Sequence, residues 1–300
     1  MLMKKRENLF LLIYFFIILC IYILGEDQMI IVDKISSYFK KLFSVQFEGD
    51  MEMHLTSSDK SFSAIPLSKH NLKYKFINNG NKYRIEVYFF DPFIKKEVHK
   101  IVCWNGEQYQ LLETGEKRVL SISKSLPQIN PYFIPNPLLF PFTFLLKKGD
   151  YFSLNYFQNQ QLIKERLKNI EKIEEGQRGE YKGIYIYFTK QGQFDDKNFE
   201  NYKIFLAREL NYFPIFSEIF IGEEIREEME VKEFLKIDDI IIPIVIYSSA
   251  YKKEKLLRTV KVSIDKETVK INVPIEEEFF NIPFSHVDKV WDSDTKTWLK

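Results

Sequence analysis

The residues able to do acid–base, nucleophilic or metal chemistry are scattered along the chain. Four histidines, His54, His70, His99 and His286, lie far apart, and none has a neighbour at the spacing of a metal site. His54 and His99 fall at outward positions of alternating segments, where a surface side chain is expected. Cys103 precedes Trp104 in a strand-like segment with no base to activate it, so it reads as a buried structural thiol. Carboxylates occur in pairs at Asp195-Asp196, Glu223-Glu224, Glu227-Glu228 and Asp238-Asp239. Two carboxylates suffice for glycoside hydrolysis, but pairs this frequent select none, and they read as turn and solvent-face charges. No G-x-S-x-G, P-loop, dinucleotide fingerprint or H-E-x-x-H is present. No catalytic residue, metal ligand or cofactor is expected, and the chain reads as a non-enzyme. A hydrolase whose site carries no motif is the third and last functional reading.

The beginning of the chain carries an address rather than a site. Lys4, Lys5 and Arg6 precede an apolar run from Leu9 to Leu24, followed by Gly25 and then Glu26-Asp27. A basic segment, an apolar core and a small residue make a secretory signal, so residues 1–25 are expected to be removed and the rest to fold in the periplasm or elsewhere outside the cytoplasm. The run approaches the roughly 17 residues that span a bilayer, so an uncleaved anchor is the alternative. Cys20 follows Leu19, which is too large for a lipid-attachment site, and reads as one more apolar residue.

Residues 1–25 take with them three of the 43 basic and one of the 42 acidic residues, leaving a nearly neutral chain. No basic field points to nucleic acid, and Cys103, as the one remaining cysteine, leaves no internal disulfide. Residues 26–300 must be held by an apolar core, and they suffice to bury one. They are expected to form a single β-rich domain and to act as a monomer.

Residues 30–42 have helical spacing. From Phe43 to Leu55 the odd positions read Phe, Val, Phe, Gly, Met, Met, Leu against polar even ones, a strict strand alternation about 44 Å long. Gly49 interrupts the apolar row and reads as a bend or bulge. Alternation returns at 72–76 and 83–87 across Asn78-Asn79-Gly80-Asn81, and a second hairpin joins 101–104 to 108–112 through Asn105-Gly106. Later strands are expected at 182–189, 202–210, 215–221, 226–235, 240–249, 256–264 and 267–273. Short polar turns between them favour an antiparallel meander, and no βαβ alternation is seen.

Two segments break this pattern. Residues 131–146 combine four prolines with bulky apolar residues, which no central strand tolerates. They read as a lid, with Phe133, Leu138, Leu139, Phe140, Phe142, Phe144 and Leu145 needing cover. Residues 158–175 carry Leu162, Ile163, Leu167, Ile170 and Ile173 at helical intervals and read as an amphipathic helix across the sheet. The region 131–200 is thus an inserted lid and helix. The inward-facing set, and the candidate apolar binding surface, is Val45, Phe47, Met51, Met53, Tyr74, Phe76, Ile85 and Val87.

Three places in the chain resemble the lipoprotein-localisation carriers, the LolA-like proteins of the periplasm and their LolB-like outer-membrane relatives. They are the helix and long strand with Phe47-Glu-Gly-Asp-Met51, the turn Trp104-Asn-Gly-Glu-Gln-Tyr109, and the closing run. That run reads Val260-Lys-Val-Ser-Ile264, Val269-Lys-Ile-Asn272, Phe279-Phe280-Asn-Ile282-Pro283 and Val287-Asp-Lys-Val290-Trp-Asp292. The resemblance implies a mainly β fold: a strongly curved antiparallel sheet, a half-open barrel, with helices or loop over its concave mouth. It also implies a hollow for lipids or the acyl chains of lipoproteins. An internal arginine that ties the lid to the sheet in that family has no counterpart at Arg84, which lies on the polar face. The second functional reading is an envelope module that contacts other proteins and fills its core with its own side chains.

Overall fold

The computed structural model describes residues 29–56, 69–91, 94–115, 117–125, 138, 141–142, 163–165, 167, 170–191 and 199–300. Residues 1–25 lie outside them. Among the described residues, no helix is long and apolar enough to cross a membrane.

The helical spacing after residue 29 produces helix α1, 29–41, which buries Ile31, Val32, Ile35, Tyr38 and Phe39 on one side. Asn272 holds its end. The Asn272 Nδ2 donates to Lys41 O at 2.8 Å, and Phe43 N donates to Asn272 Oδ1 at 3.1 Å. One side chain thus satisfies a carbonyl that the helix leaves unpaired and fixes the direction in which the chain enters β1, Ser44–Leu55.

Two meanders flank β1. The first is β2 (Lys69–Asn79), β3 (Lys82–Asp91), β4 (Lys96–Trp104), β5 (Tyr109–Thr114) and β6 (Arg118–Ser123). Gly80 and Gly106 turn its hairpins at φ 59° and 100°, values that favour glycine. The second is β7 (Ile170–Arg178), β8 (Tyr181–Gln191), β9 (Phe199–Ala207), β10 (Phe213–Ile221), β11 (Glu224–Ile237), β12 (Ile240–Lys252) and β13 (Lys255–Ile264). Three short strands follow: β14 (Lys270–Ile271), β15 (Lys289–Asp292) and β16 (Thr297–Trp298). They join one curved sheet in the order β16-β15-β6-β5-β4-β3-β2-β1-β13-β12-β11-β10-β9-β8-β7, with β14 also on β1. The two ends of that order do not pair, so the sheet is open.

The mainly β, half-open architecture is the one expected, and several details differ. β1 lies in the middle of the sheet rather than at the start of a meander. β15 pairs parallel to β6, whereas every other pairing among the described residues is antiparallel. The strand expected at 267–273 is only Lys270–Ile271, preceded by a 3-10 turn at Lys266–Thr268. The helix expected at 158–175 is helical at 163–165 only among the described residues, and from Ile170 it is strand β7. The pairing of β7 with β8 shifts register between Ile170 and Lys172. That bulge puts Ile170 opposite Phe188 and Ile173 opposite Ile186, so residues three apart share a face and imitate helical spacing.

Gly49 is not a bulge, because it pairs in unbroken register with Ile264 and Tyr74. A Cβ there would run into the Ser263 carbonyl and sit 2.6 Å from the Tyr74 hydroxyl. The glycine lets the Tyr74 ring lie across β1.

Cores form on both faces of the sheet. The concave core joins α1, the inner rows of β1–β3 and β8–β13, and Leu138, Phe142, Ile163 and Leu167. A smaller convex core joins Ile101, Cys103, Leu112, Leu120 and Ile122 of β4–β6 to Ile282, Val287 and Val290. Residues 277–287, carrying Ile282 and Val287, are therefore a strap across the back of the sheet, fastened where Ile282 N donates to the buried Gln110 side chain at 2.7 Å.

Candidate functional site

Strand register determines which side chains share the concave face. Phe47, Phe76 and Ile85 stand in one cross-strand row, and Tyr74 and Val87 stand opposite each other in the next. Met51 and Met53 extend the surface to Val262 and Val260 of β13. All eight inward-facing residues lie on this face, and none is more than 4% exposed. Helix α1 packs in the same cluster.

Of the lid residues, Leu138 and Phe142 are described and both are buried. Phe133, Leu139, Phe140, Phe144 and Leu145 lie outside the described residues. The Phe142 ring sits 4.9 Å from Phe39, 5.7 Å from Tyr38 and 5.3 Å from Phe213. Its ring contacts are thus to α1 and the start of β10. Tyr38 adds one polar tie, its hydroxyl donating to Ile241 O at 2.7 Å. Burial pushes that phenol far above the usual tyrosine range, so it is always a donor.

The concave face is not wholly apolar. Ser248 Oγ donates to Glu227 Oε1 at 3.0 Å, and Arg258 Nη2 lies 4.0 Å from the same oxygen. The register places Glu227, Ala250, Arg258 and Leu55 in one inner row. Glu227 was expected on a solvent face and instead lies inward, because alternation from the buried Met229 and Val231 fixes its side. Arg258 is an inward arginine on β13. Nearby in sequence order of the sheet, the buried Glu200 accepts from Tyr202 Oη at 2.6 Å.

The convex face carries a separate polar cluster. Glu86 accepts from Arg84 Nε at 2.7 Å, from Tyr88 Oη at 2.8 Å and from His99 Nε2 at 3.2 Å. Burial alone would raise its pKa, but the His99 hydrogen bond, the Arg84 charge and the Tyr88 hydroxyl together lower it to about 2. Arg84 also donates to Phe279 O at 3.2 Å, so the cluster helps fasten the strap. It is built as a structural ion network with a firmly ionised carboxylate. Cys103 is fully buried, and burial pushes its thiol up to about 12, which leaves it without nucleophilic character. Among the described residues no three His, Cys, Asp or Glu side chains are grouped to hold a metal ion. His54 is exposed on β1, His70 is buried on β2 and His286 is exposed in the strap.

These features define a class: a large open-sheet β protein with an apolar concave face, a helix across it and a polar network on its back. A DUF1329 family protein from Desulfovibrio piger is similar in fold, with a TM-score of 0.50 at 9% identity over 88% of this chain and 98% of that one. The LolA superfamily protein NE2245 from Nitrosomonas europaea is a further neighbour, with a TM-score of 0.44 at 11% identity over 84% of this chain and 96% of that one. The likeness to the DUF1329 family protein is one of fold alone. No family model and no curated protein sequence matches the chain.

Proposed function

We propose that this protein is an exported, non-catalytic binding protein whose concave sheet face shields an apolar ligand, a lipid or the acyl chain of a lipoprotein. The observation that carries this reading is how the face is covered. Helix α1 and Phe142 lie on it through side-chain packing, the Tyr38 hydroxyl, the Lys41–Asp239 ion pair and the Asn272 tie at the helix end, and among the described residues no strand ladder joins this cover to the sheet. Such a cover can lift without breaking the sheet, exposing a row of Val, Phe, Met and Ile. Met51 and Met53 suit ligands of varied shape. Apolar burial at about 25 cal/mol per Å² supplies affinity without a charged site. Export outside the cytoplasm, to the periplasm, follows from Lys4-Lys5-Arg6 and the apolar run behind them. The protein acts as a monomer of one domain, residues 26–300.

One observation favours a second reading, an envelope module with a self-filled core: the eight inward residues are already covered. Phe142→Ala separates the two. For a lid, the variant binds a fluorescent fatty acid more readily than the parent and keeps a cooperative unfolding transition. For a fixed plug, it loses about 3–5 kcal/mol of stability, and neither protein binds the probe.

A further inference from the structure

All three tryptophans of the chain stand on the same side of one wing of the sheet. Trp104 and Tyr109 are opposite each other, with ring centroids 4.5 Å apart. Trp291 and Trp298 face each other across β15 and β16 at 5.1 Å. The register carries the concave face outward from Ile85 through Val102, Leu111 and Ser121 to Trp291 and Trp298. The convex side of this wing is closed by the strap, whereas among the described residues no such cover lies on its concave side: Trp104, Tyr109, Leu111 and Trp291 are half-buried, and Trp298 is 55% exposed. This stretch is therefore the accessible continuation of the buried apolar face.

Its cross-section is a trough. On the inner side of β6, Val119 and Ser121 form a low floor, with Leu111 and Tyr109 rising from β5 and Trp291 from β15. Neighbouring strands lie about 4.8 Å apart, so the two walls stand about 10 Å apart, the width of one extended alkyl chain between Leu111 on one side and Trp291 on the other. The two ends of the trough differ in charge: at the Ser123 end Asp294 accepts from Ser123 Oγ at 3.0 Å, and at the Val119 end stands a cation. Lys100 and Glu113 pair with each other across β4 and β5. Lys289 is exposed, stands in the same inner row as Glu113 and Val119, and holds its ammonium 5.1 Å from the Trp298 ring centre.

We propose that this trough is a binding site for an anionic single-chain amphiphile of the fatty-acid class, its tail on Ser121 and Val119 between Leu111 and Trp291 and its carboxylate at Lys289. This rests on the reading of the protein as an apolar-ligand binder and places the accessible site on the β4–β6 wing rather than on the covered row at β1–β3.

Because no tryptophan lies elsewhere, intrinsic emission reports on this wing alone. Titration of the full chain with palmitate is expected to shift tryptophan emission to shorter wavelength. Ser121→Phe, which fills the floor at a half-buried position, is expected to weaken binding by roughly tenfold or more with the thermal midpoint unchanged. Lys289→Glu is expected to weaken palmitate by about three- to fivefold and to favour dodecylamine instead. Palmitate that displaces a fluorescent fatty acid without moving tryptophan emission, and that ignores Ser121→Phe, would place the ligand elsewhere in the protein and overturn the trough alone. Absence of any palmitate uptake, or an emission change that follows self-association in sedimentation, would also overturn it. In the last case the trough is a contact between two copies of the chain.

Discussion

Glu86 has the chemistry that an acid–base site would need, yet its surroundings commit it to structure. Three donors hold its carboxylate, and its pKa falls from the ordinary 4.5 to about 2. A lowered folded-state pKa gives stability that is present above the unfolded value and lost as pH falls through the folded one. Glu86→Gln is therefore expected to have a lower thermal midpoint than the parent at pH 7. The gap should close between about pH 4.5 and pH 2, as followed by circular dichroism; a gap constant across that range would show that the carboxylate charge is not what Glu86 supplies. The eight inward residues were legible because strict alternation needs only parity. Glu227 was not, since parity must be counted along β11 from the buried Met229, and charge alone argued for solvent. Gly49 was read as a break because sequence shows a missing side chain without the ring that lies over it.

Among the elements, α1 and β1 were legible from period alone, 3.6 residues and then 2. β7 was misread because its bulge converts alternation into a three-residue step, and its many charges fit an edge strand as well as a helix face. β6 is six residues long, and its apolar row, Leu120 and Ile122, is covered by a strap 160 residues further on, which no local window reveals. Asn272 shows how a distant residue positions an element: it binds both sides of the junction between α1 and β1 while at φ 54°. Asn272→Gly keeps that backbone accessible and removes only the side chain. It is expected to cost about 1–2 kcal/mol in urea unfolding and to speed amide exchange in 29–41 before any strand. Equal protection of α1 in both proteins would remove Asn272 from that role.

At the scale of the whole molecule, short turns correctly implied antiparallel neighbours, while the order of the sheet depended on long-range pairing. β13 comes back to β1, and residues 126–169 join β6, near one edge, to β7 at the other. Between the two meanders, the described residues Leu138, Phe142, Ile163 and Leu167 join the concave core. The proposed apolar binding rests on an open sheet so covered, with an aromatic wing beyond the cover. The decisive measurement is organic extraction of the full chain purified without detergent, followed by mass spectrometry of the extract and of the intact protein. A lipid or fatty acid at close to one molecule per chain, removable and restorable with a matching shift in tryptophan emission, is the expected result. A cooperatively folded protein that yields no lipid, and that takes up neither palmitate nor a fluorescent fatty acid after extraction, would mean that the concave face is only a core.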